Sequence, residues 1–513
     1  MKLSSTYYVL AACCAAQFAE ALGTFKLDFI KERSVASHLS KRANSFQVPL
    51  AEAMLYLINV TVGTPPQTIS LNVDTGSSNT WFPSVDSNSC QAANGSCGVG
   101  IAFDPEDSSS LRFLSNNSFA VAYGTGQATG DYISDTFRVG PATISNLTMG
   151  LAANLSGPLA NGLLGMGYDS LESLAASSGI EFPGLLTSLK QAGVISRRAF
   201  SVYLDDQEAG AGSILFGGID TSKYTGDLVA VAITPNATGV YDRYRVDLTA
   251  VSFVDNAGKK TLLSPANMSA PCALDTGASF NILPASVSQA LVDGLGAVSY
   301  AGSYFVDCAL RQSNTSVLFQ FGGPTGPVIR VPITEMLGVP LGFTFNDGSS
   351  ACQLYVGQVA DAELQSILLD GFTIGDPVIR SAYAVYDVDN NEIYLAQAVF
   401  DKKGTGNIQE IPAGSGLPGV TSTATATASL FPTSLPPSIL SAISASLLSN
   451  QTSSVPVLTA TTQLPTMHSS ASFNIAAVTG SAATATSTSS AASRNFHVGI
   501  TMVTIAMVLL SIL

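Results

Sequence analysis

The stretch "LNVDTGSSNTW", Leu71 to Trp81, ends an apolar run with a carboxylate and follows it at once with Thr, Gly and Ser. The alternation in "ISLNV" predicts a strand that delivers Asp74 into a turn. An ionised Asp in such surroundings is costly unless something compensates it. The chain then repeats the arrangement: in "CALDTGASF", Cys272 to Phe280, Asp275 follows the continuous apolar run "APCAL". Well downstream of each turn come two residues and a Gly, Leu163-Leu164-Gly165 after the first and the slightly altered Thr373-Ile374-Gly375 after the second. A repeat this long is no solenoid; it predicts two homologous lobes facing each other.

Two carboxyl groups brought together between such lobes cannot both ionise easily, so they share one proton and supply a base and an acid at the same pH. The charged member can activate a water for attack on a peptide carbonyl while the protonated one donates to the carbonyl oxygen. Gly76 and Gly277 let backbone N–H groups approach the carboxyls, and Thr75 and Thr276 are placed to hydrogen-bond across the lobes. Histidine supports this carboxylate chemistry by its position. The three are His38, His468 and His497, with none between residues 43 and 410. Ser-His-Asp, Cys-His and H-E-x-x-H machinery is thereby excluded from the core. Neither a metal nor another cofactor is called for.

From "YLINVTVGTPPQTISLNVDTGSSNTWFPS" at Tyr56 to "IGDPVIRSAYAVYDVDNNEIYLA" ending at Ala396, the chain resembles a pepsin-family aspartic protease. Its two ends resemble the fungal GPI-anchored, yapsin-type branch. The resemblance implies a mainly β, bilobal fold with Asp74 and Asp275 as the catalytic pair, and the proton sharing described above is the behaviour known for aspartic proteases. It implies that Thr75, Gly76, Ser77, Thr276 and Gly277 support the pair. It also implies that "AVAYGTG" is a flap over substrate, with Tyr123, Gly124 and Thr125 as substrate contacts and Trp81, the single Trp, bonding the flap tyrosine. One departure stands out: the family usually has a hydroxyl where this chain has Ala278. A lost hydrogen bond to ionised Asp275 should raise its pKa and move activity to less acidic pH. A catalytically silent pepsin-like binder or adhesin, and a secreted carboxylate glycosidase, are the alternatives. The duplicated turn with its flap argues against both.

The ends differ in character from this core. "MKLSSTYYVLAACCAAQFAEA" has the pattern of a secretory signal, residues 1–21, and 22–42 that of a propeptide closing on the dibasic Lys41-Arg42, which resembles a kexin-type processing site. A second hypothesis is that one of its cations, Lys26, Lys31 or Arg33, lies in the acidic cleft of the zymogen and neutralises the dyad until processing at Arg42 and a fall in pH release it. The lobes are expected over 43–230 and 231–403. A Ser/Thr/Ala-rich stalk follows at 404–490, since no Asp, Glu, Lys or Arg occurs from Ile411 to Ser493. Residues 491–513 end in the apolar run Val498–Leu513 and fit a GPI-attachment signal that is removed. Partners expected on this basis are protein or peptide substrates, a kexin-type processing protease and a lipid anchor to membrane or wall, with the enzyme itself a monomer.

Seven cysteines are present, and Cys13 and Cys14 leave with the signal. In an oxidising compartment Cys90 with Cys97 closes a short loop and Cys308 with Cys352 a longer one, leaving Cys272 as a buried inert thiol. Sequons at Asn59, Asn94, Asn116, Asn146, Asn154, Asn236, Asn267, Asn314 and Asn450 agree with export. The net charge of −14 makes nucleic acid a poor partner and suits an acidic exterior.

Overall fold

The computed structural model describes residues 23–35, 52–424 and 473–474, apart from 93–96, 98–99, 125, 158–160, 174–178, 180, 237, 301, 341–342, 358–371, 403–405 and 421. The signal-like segment, Lys41-Arg42, Asn94, Thr125, Asn450, the tract beyond 424 save for 473–474, and the apolar tail therefore lie outside the described residues.

The first half is a run of strands: β1 (Phe25–Val35), β2 (Glu52–Val62), β3 (Gln67–Asp74), β4 (Trp81–Pro83), β5 (Arg112–Tyr123), β6 (Gly126–Val139), β7 (Ala142–Ser156), β8 (Gly162–Gly165), β9 (Ala199–Tyr203) and β10 (Ala211–Phe216). In β3 the predicted alternation is realised, with Ile69, Leu71 and Val73 buried on one face. Each such side chain contributes about 1.5–3 kcal/mol on burial, so a one-residue slip that displaced Asp74 would forfeit all three. β3 pairs antiparallel with β2, Leu57 opposite Asn72, and parallel with β8, Asp74 opposite Gly165. The second half repeats this last pairing. Strand Ala270–Leu274 runs parallel to strand Phe372–Ile374, with Leu274 opposite Ile374. Both D-T-G turns thus emerge from a strand whose parallel neighbour is the downstream apolar-Gly element.

The halves are joined by shared sheet. β1, β10 and β9 continue into Ala382–Asp387, Glu392–Ala398 and Tyr224–Ala232, all within one 14-stranded sheet. Beneath the turns sits an aromatic cluster in which Phe200 stacks on Tyr386 at 4.8 Å and Tyr386 meets Tyr244 edge-on at 4.7 Å.

Two expected boundaries need correction. A lobe division at 230/231 cuts through strand Tyr224–Ala232, because the bridging sheet draws strands from both halves. The folded body also continues past 403. Strand Ile408–Glu410 pairs with Gly218–Asp220, Ile411 and Leu417 are buried, and Ser422–Thr423 pairs with Val229–Ala230. Absence of charge after Ile411 marks a polar tract, but its first residues still carry apolar side chains with a surface to cover.

The leader departs from expectation too. β1 is an interior strand, with Phe25–Ile30 on β10, Ile30–Val35 on β2, and Phe25 and Phe29 buried. Lys26 pairs with Asp28, and the Lys31 ammonium donates to the Asp206 carbonyl at 2.6 Å. These partners of the two lysines lie outside the D-T-G turns, since sheet pairing fixes where the side chains can go.

Cys90 is joined to Cys97 and Cys308 to Cys352, with Cα separations of 4.7 and 5.0 Å. Cys272 is buried and donates to the Val246 carbonyl at 3.2 Å. Asn59, Asn146, Asn154, Asn267 and Asn314 are exposed; Asn236 is half-buried, its amide donating to Asp242. Among the described residues no helix is long and apolar enough to cross a membrane.

Candidate active site

The two turns meet at the junction of the halves and are locked by four reciprocal hydrogen bonds. Thr75 N donates to Thr276 Oγ1 at 3.2 Å and Thr276 N to Thr75 Oγ1 at 3.0 Å. Each hydroxyl in turn donates across the junction, Thr75 Oγ1 to Leu274 O at 2.8 Å and Thr276 Oγ1 to Val73 O at 2.9 Å. Both threonines are buried, so these bonds are shielded from competing water. They tie the backbone immediately preceding each Asp to the opposite lobe.

This lock puts Asp74 and Asp275 side by side. The pair is packed so closely that a Cβ at Gly76 would sit 2.4 Å from Asp275 Oδ2, and one at Gly277 would sit 2.6 Å from Asp74 Oδ1. Only glycine leaves that space, and it also brings its amide to bear. Gly76 N donates to Asp74 Oδ1 at 2.8 Å and Gly277 N to Asp275 Oδ1 at 2.8 Å. The downstream glycines serve packing: a Cβ at Gly165 would meet Ser78 backbone at 2.3 Å, and one at Gly375 would meet Ala278 O at 2.4 Å. Their neighbours clamp the turns, with Met166 N donating to Asp74 O at 2.9 Å and Asp376 N to Ala278 O at 2.8 Å.

The two carboxyls are not equivalent. Asp74 accepts a second bond, a short one from Ser77 Oγ, whereas Ala278 gives Asp275 no such donor. Enclosure in the site, the negative charge of Asp74 and a hydrogen bond with it hold the Asp275 pKa well above the ordinary carboxyl value; Gly277 N and the Arg243 guanidinium oppose the rise.

Over the pair, β5 and β6 form a hairpin with Tyr123 opposite Gly126. Its tip is Gly124, exposed and without heavy atoms near a would-be Cβ, and Thr125 lies outside the described residues. Tyr123 is half-buried and its hydroxyl accepts from Trp81 Nε1 at 2.8 Å, the rings stacking at 6.4 Å. Burial and then Asp74 push its pKa upward, so it is a neutral hydrogen-bonding phenol.

Two groups near the turns carry no signal that the sequence alone would single out. One is Arg243, whose Nη1 donates to Gly76 O at 3.2 Å. The other is a buried network in which Tyr56 OH donates to Asp376 Oδ2 at 2.8 Å while Arg380 pairs with both Asp376 and Glu335.

A bilobal β-protein with two threonine-locked carboxyls under a hairpin is an aspartic protease in form, and the comparisons agree. The model of the family "Eukaryotic aspartyl protease" matches residues 55–398, and the chain belongs to that family. It is an aspartic-type endopeptidase of the pepsin kind, and it is 35% identical to "Probable aspartic-type endopeptidase opsB" of Aspergillus oryzae over 72% of this chain and 74% of that one. It is 30% identical to "Aspartic proteinase yapsin-3" of Saccharomyces cerevisiae, over 74% and 73% of the two chains, and 30% identical to "Secreted aspartic protease 1" of Candida albicans, over 74% and 90%. The crystal structure of the aspartic proteinase from Irpex lacteus shares the fold, with TM-score 0.53 at 24% identity, over 67% of this chain and 95% of that one.

Proposed function

We propose that the protein is an exported, surface-anchored endopeptidase that works at acidic pH through a shared-proton pair, Asp74 and Asp275. The single observation that carries this reading is the threonine lock, which holds two carboxyls against each other with glycine amides on both. A proton on Asp275 lets that group donate to the substrate carbonyl, while Asp74, better supplied with donors, activates the water. The attacking water gives one proton to Asp74, and its oxygen bonds to the carbonyl carbon as the carbonyl oxygen takes the proton of Asp275. Collapse of the resulting gem-diol returns one of its hydroxyl protons to Asp275, breaks the C–N bond and delivers the proton held by Asp74 to the leaving amine, which restores the starting protonation of the pair. Tyr123 and Gly124 close over the substrate, with Trp81 holding the tyrosine. Export rests on the leader pattern, the exposed sequons and the yapsin and secreted relatives; anchoring rests on the tail composition. The test is hydrolysis of denatured haemoglobin at acid pH, blocked by pepstatin and absent in Asp74→Asn. Pepstatin-insensitive cleavage or none would overturn the reading. Release of surface activity by a phosphatidylinositol-specific phospholipase tests the anchor.

The asymmetry between Ser77 and Ala278 carries a prediction for pH dependence. A hydroxyl at 278 would favour ionised Asp275 and lower its pKa. Loss of the Asp275 proton sets the alkaline limb of the rate profile. Ala278→Thr should therefore shift that limb to lower pH, with the acid limb moved less. An unmoved alkaline limb would disprove the role given to Ala278.

A further inference from the structure

Arg243 brings a positive charge to the catalytic pair from the second half of the chain. Its Nη1 donates to Gly76 O at 3.2 Å, and Gly76 is the residue packed against the Asp275 carboxyl. Among the described residues no carboxylate forms a salt bridge with it. The adjacent acid is already engaged, since Asp242 Oδ1 accepts from Arg245 Nη1 at 2.7 Å and its Oδ2 from Asn236. The Arg243 Nε hydrogen is shielded from solvent and has no acceptor. One hydrogen bond thus occupies a guanidinium that offers about five N–H donors, and the side chain is half-exposed. Its loop is fixed in place: Ser170 Oγ from the first half donates to Tyr241 O at 2.8 Å, and Asn236 closes the turn through three bonds to its Oδ1. A preorganised, partly desolvated cation that acts on the catalytic pair only at a distance, with no carboxylate among the described residues in direct salt-bridge contact and N–H donors to spare, is arranged to receive an anion.

We propose that Arg243 is a specificity residue that binds the carboxylate of an Asp or Glu side chain close to the scissile bond, so that this protease favours acidic peptides at one subsite. This rests on the protease reading above and names the substrate feature that the site selects. An acidic peptide is not the substrate that a net charge of −14 would suggest from bulk electrostatics, so the preference must be local to this subsite.

The experiment uses the purified full chain and a peptide library in which each position around the cut carries Glu, Gln or Lys. At one position the kcat/KM for Glu over Gln should be about tenfold at pH 5.5, fall towards 1 in Arg243→Gln, and be partly restored in Arg243→Lys. The wild-type preference should also vanish as pH drops below the ordinary Glu value of about 4.3; a residue with a merely structural role would not produce that profile. Equal rates for Glu and Gln at every position, or a preference that persists in Arg243→Gln, would overturn the proposal. Binding of the same peptides to Asp74→Asn reads the preference without hydrolysis. Glu-selective binding that depends on Arg243, found together with a wild-type chain that hydrolyses none of the library, would place the failure in the proposed catalytic pair and leave the subsite assignment standing.

Discussion

Asp74→Asn and Asp275→Asn should each lower kcat on a denatured protein substrate by on the order of 10^3-fold or more, because each removes one of the two proton-transfer roles proposed for the pair. KM should change far less, since in the proposed mechanism binding rests on the flap and the walls of the cleft and not on the pair. The two variants should not be alike in stability. Asp275 has a folded-state pKa raised by enclosure and by Asp74. For an acid raised in this way, the native state is not penalised below the unfolded value and loses stability as pH climbs from there through the folded value. Asp275→Asn removes that penalty. Its melting temperature should match the wild type near pH 3 and exceed it at pH 7, as measured by scanning calorimetry at the two pH values. A gain of equal size at both would mean that the site does not hold a protonated Asp275.

Much of this site is legible in the sequence because its chemistry is local. Asp-Thr-Gly carries the acid, the cross-lobe hydroxyl and the close-packed amide in three consecutive residues, and writing it twice after apolar strands leaves few other arrangements. Trp81 and Tyr123 find each other as the flap resemblance implies. What the sequence does not disclose is long-range. Nothing in "YDRYRV" says that Arg243 reaches Gly76, because that contact depends on how one lobe's loop is pinned to the other. The placement of β1 was equally hidden: a segment bearing Lys26, Lys31 and Arg33 suggests cations for an acidic cleft, but its apolar alternation at Phe25, Leu27 and Phe29 is that of a strand. Sheet pairing with β2 and β10 decides the matter. Lys31 ends up mostly enclosed, with its pKa lowered to about 8 by burial first and by Arg380 second.

Arg380→Met should be the most destabilising single change outside the catalytic turns. The Arg380 side chain is 1% exposed, and its charge is met by Glu335 Oε2 at 2.5 Å and Asp376 Oδ1 at 2.9 Å, both also buried. It donates as well to the Glu335 carbonyl at 2.6 Å. Methionine fills similar volume but leaves two carboxyl groups without their cation, a loss of about 3–5 kcal/mol by the usual cost of breaking a buried pair. The damage should propagate to catalysis, because Asp376 N holds Ala278 O and Tyr56 OH holds Asp376 Oδ2. The sign of the pH dependence is diagnostic. Even with Arg380 present, burial raises the Asp376 pKa, with Arg380 and Tyr56 pulling against it. Without Arg380 the rise must grow, and a raised acid destabilises the fold only above the unfolded carboxyl range. Urea midpoints of Arg380→Met and wild type should therefore differ widely at pH 7 and converge as the pH falls through 4. A difference that stayed constant across that range would show that Arg380 contributes by packing alone, and the charge network would then have no part in holding the second catalytic turn.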